Sequence, residues 1–183
     1  MRKHLCLLAV LVVTLAGTAT AQTEKGDWMV GGNFALNTTK NNSAFNLSPS
    51  AGYFFARNFV AGGLFNFAYS KSGDTKTTAY SAGPFARYYF GNSNLKPMVV
   101  GEFQFGTNST RVSTNKTTDN FNSLLLGGGL AAFVNQHVAI ETIAGYGRTK
   151  LAGYDGSGGF VFKVGFQVYL SPRGMLDTYR KKE

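Results

Sequence analysis

Residues 160–170 read FVFKVGFQVYL, and this stretch decides the fold class. Its apolar positions alternate with Lys163, Gly165 and Gln167. A period of two is typical of a β-strand with one apolar face, because successive side chains point to opposite sides of a sheet. The apolar face consists of Phe160, Phe162, Val164, Phe166, Val168 and Leu170. The stretch therefore predicts a strand and not a helix.

The same alternation extends upstream to Asp27, in segments of about ten to thirteen residues separated by clusters of Asn, Gly, Ser, Thr and Lys. Eight segments result, which predicts an all-β fold of eight antiparallel up-and-down strands. The register of the sixth stays open, because a bulge in its run Gly127-Gly128-Gly129 would shift the alternation. The outward positions of the first seven segments are Trp28, Val30, Phe34 and Leu36; Phe45, Leu47, Ala51, Tyr53 and Phe55; Phe59, Ala61, Phe65, Phe67 and Tyr69; Tyr80, Ala82, Ala86, Tyr88 and Phe90; Val99, Phe103 and Phe105; Leu124, Leu126, Leu130, Ala132 and Val134; Val138, Ile140, Ala144 and Tyr146.

The polar face of these strands separates a membrane barrel from a soluble one. In a soluble barrel such as a lipocalin, the polar face meets water and carries many Lys and Glu residues, whereas here it is mainly Gly, Ala, Ser and Asn. Its isolated charges are Arg87, Glu102, Glu141 and Lys163. Small residues with few charges are typical of a narrow interior, so we expect the aromatic-rich face to point to lipid. The pattern predicts a transmembrane β-barrel.

Strand length and the connections agree with this interpretation. The segment 160–170 would span about 36 Å at about 3.3 Å per residue, which a tilt of about 40° projects to about 28 Å, close to the apolar band of about 25 Å. Short connections at 56–58, 91–95 and 135–136 are expected to alternate with four longer, polar loops, so that both chain ends lie in the periplasm. Aromatic residues at the strand ends are expected to form interfacial girdles: Trp28, Tyr53, Tyr69, Tyr80, Tyr88 and Tyr146.

The N-terminus has the three-part layout of a secretory signal peptide. Arg2, Lys3 and His4 precede an apolar run over residues 5–15, and small residues end in Ala19-Thr20-Ala21. We expect residues 1–21 to be removed and residues 22–183 to form a single barrel domain. Cys6, the only cysteine, would leave with the signal, so the mature chain would be stable without a disulfide.

The net charge and the expected export together restrict the classes of binding partner. The formal net charge is +9, but nucleic acid is excluded as a partner for an exported chain, whereas anionic lipid head groups are favoured. Seven cations lie in the loops, against Asp74, Asp119 and Asp155, and would attract the phosphates of lipopolysaccharide. The seven cations are Lys40, Lys71, Lys76, Arg111, Lys116, Arg148 and Lys150. A rim without any partner is the alternative.

With these strands in view, the region 27–170 resembles the family of small outer-membrane β-barrels that includes the OmpA transmembrane domain and OmpX. Lys163, Gly165, Val168 and Leu170 match the terminal-strand signal by which chains of that family resemble substrates of the barrel-assembly machinery. The resemblance implies the bacterial outer membrane as location and a monomer. A tail of residues 171–183 follows the last strand, which departs from members that end at an aromatic residue. The tail is too short for a peptidoglycan-binding domain.

Few residues of the sequence are candidates for catalysis or for binding a metal or cofactor. A lipid A-modifying barrel enzyme would need a histidine as base near a serine, but the mature chain has only His137, beside a predicted periplasmic turn. No metal-ligand cluster is recognisable, since the mature chain would lack cysteine and has a single histidine. One Asp per loop is too few for a calcium site. The run of residues 127–129 lacks the Lys and Ser or Thr of a phosphate-binding loop. We expect no catalytic residue, cofactor or metal.

The interior charges are the most informative group. Arg87 and Glu102 lie on neighbouring strands, as do Glu141 and Lys163, and we expect each of these two pairs to form inside the lumen because unpaired buried charges are costly. An eight-stranded barrel is just wide enough for its side chains to fill it. The sequence thus favours a structural or surface-interaction role. A narrow, porin-like ion-conducting pore and a lipid A-modifying enzyme remain as alternatives.

Overall fold

A computed structural model of the protein describes residues 23–38, 42–113, 115–153 and 155–172, with only the backbone at 35–38. These residues form eight strands that close into an antiparallel barrel in the order in which they follow along the chain, and the predicted all-β up-and-down barrel is confirmed. The strands are β1 (Trp28–Thr38), β2 (Asn42–Ala56), β3 (Phe59–Ser72), β4 (Thr75–Tyr89), β5 (Leu95–Val112), β6 (Asn115–Phe133), β7 (Val138–Leu151) and β8 (Ser157–Leu170).

Two expectations fall mainly outside this range. The signal peptide at residues 1–21 is not among the described residues, and of the tail 171–183 only Ser171 and Pro172 are. The predicted cleavage after Ala21 therefore stays a prediction. Among the described residues, no helix is long and apolar enough to cross a membrane.

The alternation of side chains is regular along the barrel wall. In β8, Phe160, Phe162, Val164, Phe166 and Leu170 are exposed on the outer face, whereas Gln167 and Tyr169 between them are buried. Val168, on the same outer face, is partly buried. Since the lumen lies behind the sheet, burial on alternate residues means that those side chains point into the barrel.

The sixth strand keeps one register through its glycine run. Its ladders with β5 and β7 run continuously past Gly127 to Gly129, and the register shift lies instead between β2 and β3, at Phe54 and Ala56. A Cβ on Gly129 would collide with the backbone oxygen of Thr142 on β7. The glycines therefore allow a close approach of neighbouring strands, not a bulge.

The expected alternation of short and long connections is wrong. The connections at 73–74 and 113–114 are as short as the one at 57–58, because the polar segments continue as strand. β5 and β6 reach 18 and 19 residues. Hydroxyl groups pair across these extensions: Thr77 contacts Thr110 at 3.4 Å, and Ser109 contacts Thr118 at 3.0 Å. Threonine favours strands, so a polar Thr-rich segment next to a tight turn extends the hairpin.

Large side chains fill the lumen at one end of the barrel, which we call the closed end. A cavity lies at the other end, which we call the open end. The closed end is where β1 begins and β8 ends, and the open end is where β1 ends, β8 begins, and β3 and β5 turn into β4 and β6. Aromatic pairs mark both levels on the outer face. The rings of Trp28 and Tyr53 lie 5.3 Å apart near the closed end, and those of Phe67 and Tyr80 lie 5.1 Å apart toward the open end. The two interfacial girdles stay a prediction.

Candidate functional site

The four isolated charges of the polar face come together in the lumen. Arg87 on β4, Glu102 on β5 and Glu141 on β7 have side chains that are at most 2% exposed, and Lys163 on β8 is 25% exposed. They belong to four different strands, so the closure of the barrel is what brings them into contact. Two cations face two anions, which leaves the group without net charge.

The pairing differs in part from the expected one. Arg87 Nη1 donates to Glu141 Oε2 at 2.6 Å and approaches Glu102 Oε1 at 4.0 Å through Nη2. Lys163 Nζ donates to Glu102 Oε2 at 2.6 Å. The expected pair of Glu141 with Lys163 is not formed among the described residues, which corrects that prediction. Glu141 reaches across the lumen to β4, although a diagonal position on the adjacent β8 was available to it.

Two tyrosines complete the coordination of Glu141. Tyr89 Oη and Tyr169 Oη donate to its Oε1 at 2.7 and 2.8 Å, and the two phenol oxygens lie 3.1 Å apart. The Arg87 guanidinium lies 4.8 Å from the centre of the Phe85 ring. A buried carboxylate with three donors is well compensated, because each bond replaces one lost to water. The network is therefore satisfied at Glu141, whereas the buried Nε of Arg87 has no hydrogen-bond partner among the described residues.

An aromatic cluster surrounds this network at the closed end. The ring of Tyr169 lies 4.9 Å from that of Phe133 and 6.0 Å from that of Phe54, and all three side chains are buried. With the charged network, these rings form what we call the lumen plug: Met29, Phe54, Phe85, Arg87, Tyr89, Phe133, Glu141 and Tyr169. The sequence interpretation missed its aromatic part, although large residues on both faces at Phe54-Phe55 and Tyr88-Tyr89 gave a signal.

A short segment before β1 covers the closed end. Asn58 N donates to the backbone oxygen of Thr23 at 2.7 Å, and Lys96 Nζ donates to Thr23 Oγ1 at 2.6 Å. Gly26 N donates to Phe54 O at 3.0 Å. Thr23 and Lys96 are buried. This cap was not predicted, because its residues carry no periodic pattern.

The open half of the lumen is hollow. A cavity of about 840 Å³, which we call the vestibule, is lined on the inside mainly by hydroxyl and amide side chains, with Leu64, Phe121, Leu125 and Val161 among them. Ser48 Oγ donates to Asn66 Oδ1 at 2.7 Å, and Ser81 Oγ donates to Gln104 Oε1 at 2.7 Å. Arg87, Glu102 and Lys163 also line it, so the ionic network separates the vestibule from the aromatic cluster.

The outer face toward the open end carries cations in register. In the strand register, Lys71 lies opposite Lys76, Lys76 opposite Arg111, and Arg111 opposite Lys116, across four consecutive strands. We call these four residues the cationic row; all are exposed, and none forms an ion pair with another described residue. Of the other predicted rim cations, Arg148 and Lys150 lie on β7 outside this row. Lys40 lies outside the described residues.

The other candidate residues are dispersed. His137 lies in the connection between β6 and β7 at the closed end, where its backbone oxygen accepts a hydrogen bond from Tyr169 N at 2.6 Å. Asp74, Asp119 and Asp155 do not converge, and the part of the chain that the structure describes holds no group of three or more potential metal ligands. Of the proposed assembly signal, Lys163 and Gly165 face inward and Leu170 outward.

Known proteins resemble this chain in sequence and in fold. A family model described as outer membrane protein beta-barrel domain matches residues 6–172. The N-terminal β-barrel domain of Pseudomonas aeruginosa OprF is similar in structure, with a TM-score of 0.55 and 13% sequence identity, over 80% of this chain and 98% of that one. Neisserial surface protein A gives a TM-score of 0.54 and 19% identity, over 78% and 95% of the two chains. No curated protein matches the chain. The two structural likenesses concern the fold.

Proposed function

Because the chain belongs to the family of outer membrane protein β-barrel domains, we propose that it acts in the bacterial outer membrane as a structural or surface-interaction protein with a sealed lumen. The resemblance inferred from the sequence is confirmed by this membership. The lumen plug carries the proposal, since its buried rings and ion pairs fill the closed half. A filled lumen supports a role at the surface over a role in diffusion.

The orientation follows from the two ends. The closed end, with its cap, the start of β1 and the end of β8, faces the periplasm, and the extended hairpins face outward, which is the usual arrangement of bacterial barrels. Export uses residues 1–21 as a cleaved signal, and the barrel-assembly machinery reads Lys163, Gly165, Val168 and Leu170. The monomer is the functional unit, because the eight strands of one chain close the barrel without a strand from a partner chain.

Lipopolysaccharide is the proposed partner of the outer surface. On the same outer face, Lys71 lies four residues after Phe67 and Lys76 lies four residues before Tyr80. This places the cationic row about 10 Å above the upper aromatic level at about 3.3 Å per residue and a tilt of about 40°. Like charges directly opposite one another destabilise a sheet. Phosphate groups of the outer leaflet would relieve this repulsion and form charge-assisted hydrogen bonds.

The surface role is tested by charge reversal. Lys76→Glu is expected to weaken binding of lipopolysaccharide by about tenfold, because each basic residue near an anionic surface contributes about 1 kcal/mol. Lys25→Glu, which makes the same change at the exposed closed end, is the matched control and should have no effect. Binding is measured by titrating lipopolysaccharide into the refolded barrel. Equal affinities of the Lys76→Glu and Lys25→Glu variants would contradict lipopolysaccharide as the partner of the cationic row.

A narrow pore is the second candidate, because the vestibule is open and Lys163 is partly exposed. If the plug seals the lumen, the protein gives no stepwise current in a planar bilayer, whereas Tyr89→Ala with Tyr169→Ala produces current steps. A conducting native protein whose conductance changes with Glu102→Gln or Lys163→Met would establish the pore instead. A heat-dependent shift in gel mobility confirms that each variant is folded.

We propose no enzymatic activity. His137 lies at the closed end, on the opposite side of the plug from the vestibule and from outer-leaflet lipid. A lipid A-modifying enzyme would need its base near the lipid. His137→Ala is therefore a suitable unaltered reference for the experiments above.

A further inference from the structure

The barrel wall is incomplete where β1 meets β8. Their ladder covers six pairs, from Trp28 with Leu170 to Asn33 with Gly165, and it ends there. Toward the open end, residues 34–38 pair only with β2, and residues 157–164 pair only with β7. We call this gap between the two strands the seam. Each flanking strand therefore has one edge without a strand partner over half its length.

The vestibule reaches the outer surface through this seam. Its lining includes Phe34, Phe160, Phe162 and Val164, whose side chains are 60%, 78%, 63% and 50% exposed on the outer face. The same cavity is lined from the inside by hydroxyl and amide groups and by Lys163. A cavity lined by both faces of one sheet must pass between two of its strands. The seam is thus an opening at the level of the apolar band.

The two sides of this opening differ in chemistry. Outside stand aromatic and aliphatic side chains; inside stand hydroxyl groups such as those of Ser48 and Ser123, and the Lys163 ammonium group 2.6 Å from Glu102. Backbone groups at an open sheet edge need polar partners when they adjoin hydrocarbon. A molecule with one polar end and one acyl chain satisfies both sides at once. The volume of about 840 Å³ lies within the range of about 300–1,000 Å³ for ligand sites.

We infer that the seam is a lateral portal through which a single-chain amphiphile with a hydrogen-bonding head group enters the vestibule from the outer leaflet. The head group lies among the hydroxyl and amide side chains, near Lys163, and the acyl chain extends outward past Phe160 and Phe162. The inference rests on the membrane location of the proposed function, but it does not depend on a sealed lumen plug or on the cationic row.

A disulfide across the seam tests the portal. Phe34 and Val164 occupy the next pair beyond the end of the ladder, so Phe34→Cys with Val164→Cys would close the opening when oxidised. Val30→Cys with Val168→Cys, in the paired part of the same ladder, is the matched control. The chain from Gln22 onward contains no other cysteine. Both variants are refolded into phosphatidylcholine vesicles, and heat-dependent gel mobility confirms the barrel.

The probe is a long-chain fatty acid that carries a photoreactive diazirine near its carboxyl group. In the native chain and the oxidised control, cross-links should map to Ser48 and Ser123 inside the vestibule. The oxidised seam variant should lose these cross-links at least tenfold, regain them with dithiothreitol, and keep those at the outer residue Phe166. Unchanged vestibule labelling in the closed variant, or none in the native chain, would overturn the portal.

A second variant keeps the test valid if the disulfide prevents folding. Val164→Cys alone, alkylated with a bulky maleimide after refolding, should obstruct the mouth and lower vestibule labelling in the same way. A strand of a second copy on the free edges is the competing occupant, and it would appear as a cross-linked dimer without vestibule labelling. Failure of the portal leaves a folded, non-conducting barrel, so it is distinguishable from failure of the proposed function.

Discussion

The closed and open halves of the lumen share one wall but are filled in different ways. In the closed half, Tyr89, Tyr169 and Phe54 are completely buried and surround Glu141, which has three donors. In the open half, hydroxyl and amide groups bond to one another around a cavity of about 840 Å³. The strands alternate in the same way in both. The size of the inward side chains, and not the fold, therefore decides where the barrel is sealed.

The difference also concerns how much each half depends on single residues. The side chains of Arg87, Glu102 and Glu141 are at most 2% exposed, so each of these groups relies on the others for compensation. The vestibule groups can exchange a lost partner for water. We therefore expect substitutions of equal chemical size to have very different effects on the free energy of unfolding in the two halves.

The largest expected effect is at the centre of the plug. Glu141→Leu leaves Arg87 buried, with Glu102 at 4.0 Å as its remaining anion, and should lower the free energy of unfolding by about 3–5 kcal/mol, as for other broken buried pairs. Gel mobility after equilibration in urea measures the folded fraction in vesicles. The double variant Arg87→Met with Glu141→Leu should recover much of the loss. If the single variant is as stable as the native protein, the plug does not dominate stability.

A smaller effect is expected at the boundary between the halves. Lys163→Met removes the 2.6 Å bond to Glu102, but that carboxylate keeps Arg87 as a neighbour and lies beside the vestibule. We expect a loss of about 1.5–3 kcal/mol, the usual contribution of a hydrogen bond to a charged group. The same urea titration measures it. A loss as large as that of Glu141→Leu would mean that the two halves form one cooperative network.

The smallest effect is expected inside the vestibule. Ser81→Ala removes the 2.7 Å bond to Gln104 and should cost about 0.5–1.5 kcal/mol, because water can replace the lost partner. Thr142→Ala, on the outer face of β7 next to the glycine run, is a control for the loss of a hydroxyl group outside the lumen. A cost above that of Lys163→Met would show that the open half is as tightly packed as the closed half.

Most of the barrel was predictable because its determinants are local. Alternation in segments such as 160–170 predicts both the strand and its outward face, and an even number of segments predicts a closed up-and-down sheet. The inward position of the four charges follows from the same parity. These features need only neighbours along the chain, which a single sequence provides.

The remaining features depend on contacts across the lumen. The pair of Glu141 with Arg87 joins β7 to β4, and reasoning limited to adjacent strands predicted Lys163 as the partner instead. The cap at Thr23 depends on where Asn58 and Lys96 meet at the closed end. The long hairpin of β5 and β6 was missed because its Thr, Ser and Asn residues are typical of loops as well. Composition does not distinguish a polar loop from a polar strand, whereas the ladder between β5 and β6 does.

The chain order of the strands has a consequence for how the barrel assembles. Seven of the eight ladders join strands that are consecutive in the chain, and only β1 with β8 brings distant segments together. Hairpins can therefore form one after another at little entropic cost, whereas the last ladder must close a loop of nearly the whole domain. With only six pairs, that ladder should be the last to form, and amide hydrogens along it should exchange with solvent before those of any hairpin.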